Sequence, residues 1–488
     1  DGAIRDYRWI EVAPMRVRVH REEHGLLSRY VPPLLHEAYA HLSKKYGLKP
    51  EPPLHVEIYR DPELFAVKSV GLPGLAAHGI CFGHVITSRS PNSGDFNWAE
   101  VLWHELSHVF HIQLSKSRVP RWFTEGLAVY EATEGRPEWR REMDQTLLAY
   151  RHANKLRGVA DFNLAFTRAR SMTDMLVAYY HAYRMAEFIA TTYDVEGMKR
   201  MLVLWGEKYK SPEVFKRALG VQDLSAFDEA FLLWLDKELA PLKQAFRLDA
   251  ELFAQRAPEL GEQADKRPKD AEAQASAAVA WLGRGDVTKA KAYAEACALL
   301  NPREPRAALV RATLSLQEGD GKRALRELKV VNEAGLDGAD IQSLKARAAR
   351  VAGNLPLAID ALMSALRQDP SRGSLYHALI ALLDSEGRVK EAYGWRKKAL
   401  SVDQANLSLV SALLQGAKAH SATLEEVLKW GEMGNHIAPF SLSHHLSFAR
   451  ELARLGAREK AHFEADSALL IEPEHPEALA IKRARAAP

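Results

Sequence analysis

Four glycines in the second half of the chain, Gly285, Gly319, Gly353 and Gly387, stand 34 residues apart, and an alanine follows each at one offset: Ala290, Ala324, Ala358 and Ala392. Three successive intervals in register exclude coincidence. No other feature constrains the fold as tightly, because a fixed period of this length means one supersecondary unit stacked on copies of itself. Ala312 and Ala346 recur in the first helix of successive units, and Pro302 and Pro370 fall where the second helix ends. After a degenerate unit at about 407–441, Ala449, Gly456, Ala461, Ala468 and Pro473 restore the frame.

Glycine suits the tight turn, alanine the closest approach of two helices, and proline the break between units. The pattern resembles the tetratricopeptide repeat, with six units over 271–475 and Pro476 to Ala487 as a capping helix that covers the last apolar face. The resemblance implies an all-α solenoid with a surface for a protein partner.

The rest of the chain has no such period. Its 488 residues, 47% hydrophobic and 26% charged, suffice for two or three domains with real cores. Lys plus Arg is 66 against 63 for Asp plus Glu, so the net charge of +3 supplies no field that would gather nucleic acid. Two cysteines, Cys81 and Cys297, build neither a disulfide framework nor a cysteine-rich metal site. No apolar run approaches the roughly 18 residues that a membrane span requires, which predicts a soluble protein. A chain starting at Asp1 with no signal-like segment reads as a processed product or a fragment.

Arg16–Val19, Leu54–Tyr59 and His84–Thr87 alternate like half-buried strands, and Tyr30 to Tyr46 reads as a helix. From Gly94 the pattern is helical to about Phe246, and Pro258, Gly261 and Pro268 punctuate a connector. The reading is an α+β domain over 1–250, a helical connector over 251–270, and the repeats over 271–488.

Within the first domain stands Trp103-His-Glu-Leu-Ser-His-Val-Phe-His111. Asn97 is a fair N-cap with Glu100 three residues on, which predicts a helix to about Gln113. His104 and His108 then lie one turn apart on one face, where two imidazoles can share a zinc ion, and Glu105 leans toward a water on that ion as its general base. His111 lies seven residues from His104, roughly 10 Å along a continuous helix, too far for the same ion. A third ligand is expected from Pro120-Arg-Trp-Phe-Thr-Glu-Gly-Leu-Ala-Val-Tyr-Glu131, where Glu125 sits in an apolar helix and must be paired or metal-bound. Gly126 beside it weakens a helix by about 1 kcal/mol, which predicts close passage of another backbone, expected to be that of the histidine helix.

HELSH followed by FTEGLAVY resembles the gluzincin metallopeptidases, the group of thermolysin and aminopeptidase N, and most nearly the bacterial peptidase MA-like domains that occur with tetratricopeptide repeats. The resemblance spans about 50–245 and is specific at 104–130. It implies a zincin-like fold and one zinc ion held by His104, His108 and Glu125, with Glu105 as base. Only 16 residues separate His108 from Glu125, somewhat fewer than in those families, so the loop between helices departs from their pattern. The families stabilise the oxyanion from a later helix; the matching segment Ala178-Tyr-Tyr-His-Ala-Tyr183 offers Tyr179 first, then Tyr180 and His181. A strand near Gly79-Ile80-Cys81 is a candidate edge for an extended substrate.

Between Glu63 and Glu100 there is no glutamate, whereas aminopeptidases of this group anchor the substrate amine with one in that region. The expectation is therefore a zinc endopeptidase acting on a peptide or protein, in a bacterial cytoplasm or periplasm. The alternatives are a zinc aminopeptidase and a non-catalytic repeat scaffold with an inactive zinc domain.

Overall fold

Alternating apolar residues build a five-stranded sheet in the order β1-β2-β3-β5-β4. The strands are β1 (Tyr7–Val12), β2 (Met15–His20), β3 (Leu54–Tyr59), β4 (Gly79–Cys81) and β5 (Val85–Arg89). β1 and β2 form a hairpin, β3 runs parallel to both β2 and β5, and β4 returns antiparallel to β5. The computed structural model describes residues 5–71, 77–242 and 254–483. The sequence does not mark β1 as a strand, since Tyr7-Arg-Trp-Ile-Glu-Val12 alternates only in part.

Helix α1 (Arg21–Tyr46) begins well before the expected Tyr30, with the His20 side chain accepting from the Glu22 amide. It continues through Pro32 and Pro33 because Leu26, Leu27, Val31 and Leu34 bury one continuous face. After α2 (Pro62–Val70) come α3 (Trp98–Leu114) and α4 (Arg121–Gly135). Asn97 caps α3 by accepting from the Glu100 amide at 3.0 Å. Then follow α5 (Asp144–His152), α6 (Asn163–Thr167), α7 (Met172–Gly206), α8 (Ser211–Leu219) and α9 (Leu224–Glu238). α7 is broken at Asp194, whose φ of 66° is left-handed and whose carboxylate restarts the helix by accepting from the Gly197 amide at 2.7 Å. The expected end of this helical stretch, near Phe246, lies outside the described residues.

The second half is an all-helical array of tetratricopeptide type. Beyond α10 (Ala257–Lys266), helices pair from Ala271–Gly283 with Val287–Leu300 through to Leu442–Arg454 with Arg458–Ile471, and Pro476–Arg483 follows. The remainder of the expected capping helix lies outside the described residues. Gly285, Gly319, Gly353 and Gly387 all have φ between 70° and 82°, the left-handed turn that a side chain resists. The next residue then caps the second helix in three units: Asp286, Asp320 and Asn354 accept from backbone amides three residues on. The alanines five residues after the glycines are fully buried.

The chain divides into two compact units, one of Asp1–Arg141, Arg157–Leu235 and Leu400–Pro488, the other of Glu142–Leu156 and Asp236–Ala399. The last helix pairs therefore belong with the N-terminal half. In that unit the Trp98 indole donates to the Asn435 carbonyl at 2.8 Å, and the Tyr30 hydroxyl meets Ser467 at 2.7 Å. Among the described residues, no helix is long and apolar enough to cross a membrane.

Candidate metal centre

α3 and α4 cross so that three side chains converge. His104 Nε2 and His108 Nε2 are 3.1 Å apart, and each lies 3.4 Å from Glu125 Oε2. Burial pushes the Glu125 carboxyl up, but His104 and His108 together outweigh it and hold it well below the usual carboxylate range. His104 and Glu125 keep 17% and 12% of their side chains exposed, so the triangle has an open side.

The donor set suits zinc. Three ligands of a tetrahedral ion at about 2.0–2.1 Å stand about 3.3–3.4 Å from one another, close to the triangle present here. The outer oxygen of Glu125 accepts from Arg121 Nε at 3.2 Å, which leaves Oε2 turned inward.

Glu105 is buried beside the triangle under β4. A Cβ on Gly79 would stand 2.7 Å from Glu105 Cγ and 2.8 Å from Val101 Cγ1, so any larger residue would have to displace both side chains. Burial pushes the Glu105 carboxyl up to about 8, with His104 opposing and Glu125 adding. β4 is an edge strand, paired with β5 alone among the described residues. Gly79, Ile80 and Cys81 are all half-buried, and burial raises the Cys81 thiol.

Gly126 is close to another backbone, but not the expected one. A Cβ there would stand 2.3 Å from the carbonyl oxygen of Ala182, so α4 is pressed onto α7 rather than held off by α3. The same contact brings in Tyr179, whose ring meets Phe166 edge-on at 5.1 Å, with the Arg121 guanidinium over Phe166. Burial and then Glu125 push the Tyr179 phenol up to about 12, against Arg121.

The other two oxyanion candidates pack among aromatic rings. Tyr180 is buried against Tyr183. His181 is buried between Phe162 and Phe231, where desolvation alone drops its pKa to about 3. Successive helix residues point about 100° apart, so Tyr179, Tyr180 and His181 lie on different faces of α7.

His111 is fully buried behind the site, and burial and then His108 hold its imidazole well below the usual range. Its nitrogens meet Thr124 and Tyr46, and Tyr46 in turn meets Glu131. Burial pushes the Glu131 carboxyl up, while Lys45 and Tyr46 pull against it. Thr124 and Glu131 stand within the FTEGLAVYE segment, where a second acid in an apolar helix was the available signal. Lys45 and Tyr46 come from α1, and no spacing links them to it.

No family model matches the chain, and no curated protein matches it in sequence. Solved structures similar to it include YrrB, a TPR protein with an unusual peptide-binding site, at 16% identity over 47% of this chain and 100% of that one, with a TM-score of 0.29. MamA is 18% identical over 32% of this chain and 91% of its own, with a TM-score of 0.27. The pilF protein of Pseudomonas aeruginosa is 14% identical over 44% and 96%, also at 0.27. At such scores the repeat assignment stands on the helix pairs themselves.

Proposed function

We propose that this chain is a zinc-dependent endopeptidase whose repeats dock a protein partner or substrate. The supporting observation is the convergence of His104, His108 and Glu125 within 3.4 Å of one another, with Glu105 buried beside them. A zinc ion held by those three side chains would polarise a peptide carbonyl and acidify water.

The chain's own groups supply the rest. Burial raises the Glu105 carboxyl, and the charge of an ion at the triangle would oppose that and leave it ionised; Glu105 then takes the proton of an attacking water and returns it to the nitrogen of the leaving amine. Tyr179 keeps its phenolic proton at neutral pH and offers it as a hydrogen bond to the oxyanion. The outer edge of β4, unpaired among the described residues, aligns an extended substrate backbone along α3.

Glu105→Gln tests the reading. The variant should hold as much zinc as wild type by metal analysis and lose cleavage of a peptide library by a factor of roughly 100 to 10,000. Cleavage of N-acetylated peptides as well as free ones would exclude an aminopeptidase.

The second reading is a non-catalytic scaffold, favoured by the helix-pair array that fills 271–483. It would be upheld if zinc-loaded wild type and Glu105→Gln proved equally inert over the whole library.

A further inference from the structure

A single line of hydrogen bonds starts at one ligand and ends in the core. His108 Nδ1 lies 2.7 Å from Thr124 Oγ1, which lies 3.1 Å from His111 Nδ1. His111 Nε2 lies 3.0 Å from the Tyr46 hydroxyl, and that hydroxyl donates to Glu131 Oε1 at 2.7 Å. The other oxygen of Glu131 accepts from Lys45 Nζ at 2.8 Å. Tyr46, His111 and Glu131 are all fully buried.

The carboxylate at the far end sets the direction of every link. Glu131 beside Lys45 has only lone pairs to give, so the Tyr46 proton points at it. Tyr46 then presents a lone pair to His111, whose Nε2 must carry the hydrogen. A neutral imidazole has one N–H, so His111 Nδ1 accepts the Thr124 hydroxyl proton. Thr124 is left with a lone pair for His108, and the hydrogen of His108 falls on Nδ1. In a neutral His108, Nε2 then keeps a lone pair aimed at the triangle, and while no ion is bound the hydrogen between the two rings, 3.1 Å apart, is the one on His104 Nε2.

We propose that Thr124, His111, Tyr46 and Glu131 are positioning residues that fix His108 in its Nδ1–H tautomer before any ion binds. The functional meaning rests on the zinc reading above; the tautomer itself is a property of the metal-free chain. Reversing the line would place an N–H of His108 where an ion has to sit, which no ligand can do while binding.

The test uses the full chain, metal-free and labelled with nitrogen-15 in its histidines. Ring nitrogen shifts and couplings identify each tautomer, and His108→Gln assigns the signal. Wild type should show His108 wholly as Nδ1–H. Thr124→Val, which swaps the hydroxyl for a methyl of like shape, should give a tautomer mixture and lower zinc affinity about 10- to 100-fold in chelator competition. Thr124→Ser, which keeps the hydroxyl, should behave as wild type, and Tyr46→Phe should match Thr124→Val. Circular dichroism checks that each variant is folded, and the wild-type spectrum decides by itself if one is not.

Wild-type His108 as Nε2–H or as a mixture overturns the proposal. So does wild-type zinc affinity in folded Thr124→Val. A wild type that takes no zinc removes the peptidase reading instead, and the tautomer measurement still decides this one.

Discussion

Two clusters of histidine and carboxylate share helix α4, and they differ in what faces their donor atoms. His104, His108 and Glu125 leave their inner donor atoms facing one another. His41, Glu131 and Glu134 are also grouped closely enough to hold an ion, but Lys45 reaches into them and binds both acids. At the first cluster the chain's own cation, Arg121, takes only the outer oxygen of Glu125. Donor atoms alone do not define a metal centre; what separates these two is whether an ammonium group from the same chain already neutralises the charge.

Removing a ligand should have the largest effect. Structural zinc sites bind with about 10–16 kcal/mol, so His108→Ala or Glu125→Ala, each deleting one of three protein ligands, should lower zinc affinity by roughly three orders of magnitude. Competition against a chelator measures this, and wild type should hold one equivalent. A loss below tenfold would mean the ion is not at the triangle.

Lys45→Ala attacks the other cluster. It leaves Glu131 buried without a countercharge, a change that destabilises by about 3–5 kcal/mol in urea unfolding. With the ammonium gone, a second and weaker zinc equivalent should appear in the titration. Should only one equivalent bind, geometry and not Lys45 keeps the second cluster free of metal.

The difference between the clusters also marks what the sequence could reveal. His104, Glu105 and His108 were legible because helix periodicity fixes where residues four apart must point. Glu125 was legible as a costly acid in an apolar segment, and the repeats through glycines whose left-handed φ tolerates little else. Lys45 was not legible. It is one of many basic residues, and nothing local ties it to Glu131, 86 residues on. Gly126 announced a close backbone but not which one, because packing of α4 on α7 is set by tertiary contact, not local pattern. For the same reason the neighbours of Tyr179, Tyr180 and His181 were not legible.

Gly126→Ala probes that packing and should rank next. The added methyl meets the Ala182 carbonyl, a backbone atom that cannot rotate aside, and overpacking of this kind destabilises by about 1–3 kcal/mol. α4 carries acids of both clusters, so its displacement from α7 should weaken zinc binding along with thermal stability. Lower stability with unchanged zinc affinity would show that the triangle tolerates a shift of its second helix.

Glu134→Gln should have the smallest effect, and its pH dependence identifies it. His41 and then Lys45 hold the Glu134 carboxyl down to about 2, from an ordinary 4.5. A folded value below the unfolded one means the stabilising share is complete above about 4.5 and fades as pH falls through about 2. The Glu134 side chain is 40% exposed, so solvent screening keeps that share to about 1 kcal/mol or less. Glu131 works in the other direction: burial raises its carboxyl, so acid relieves part of its penalty. The wild-type curve mixes the two, and subtracting the Glu134→Gln curve removes most of Glu131, leaving only the smaller share by which the Glu134 charge raises it. The difference should be flat above about pH 4.5 and close toward pH 2; a gap that persists at pH 2 would mean that Glu134 contributes by packing rather than by charge.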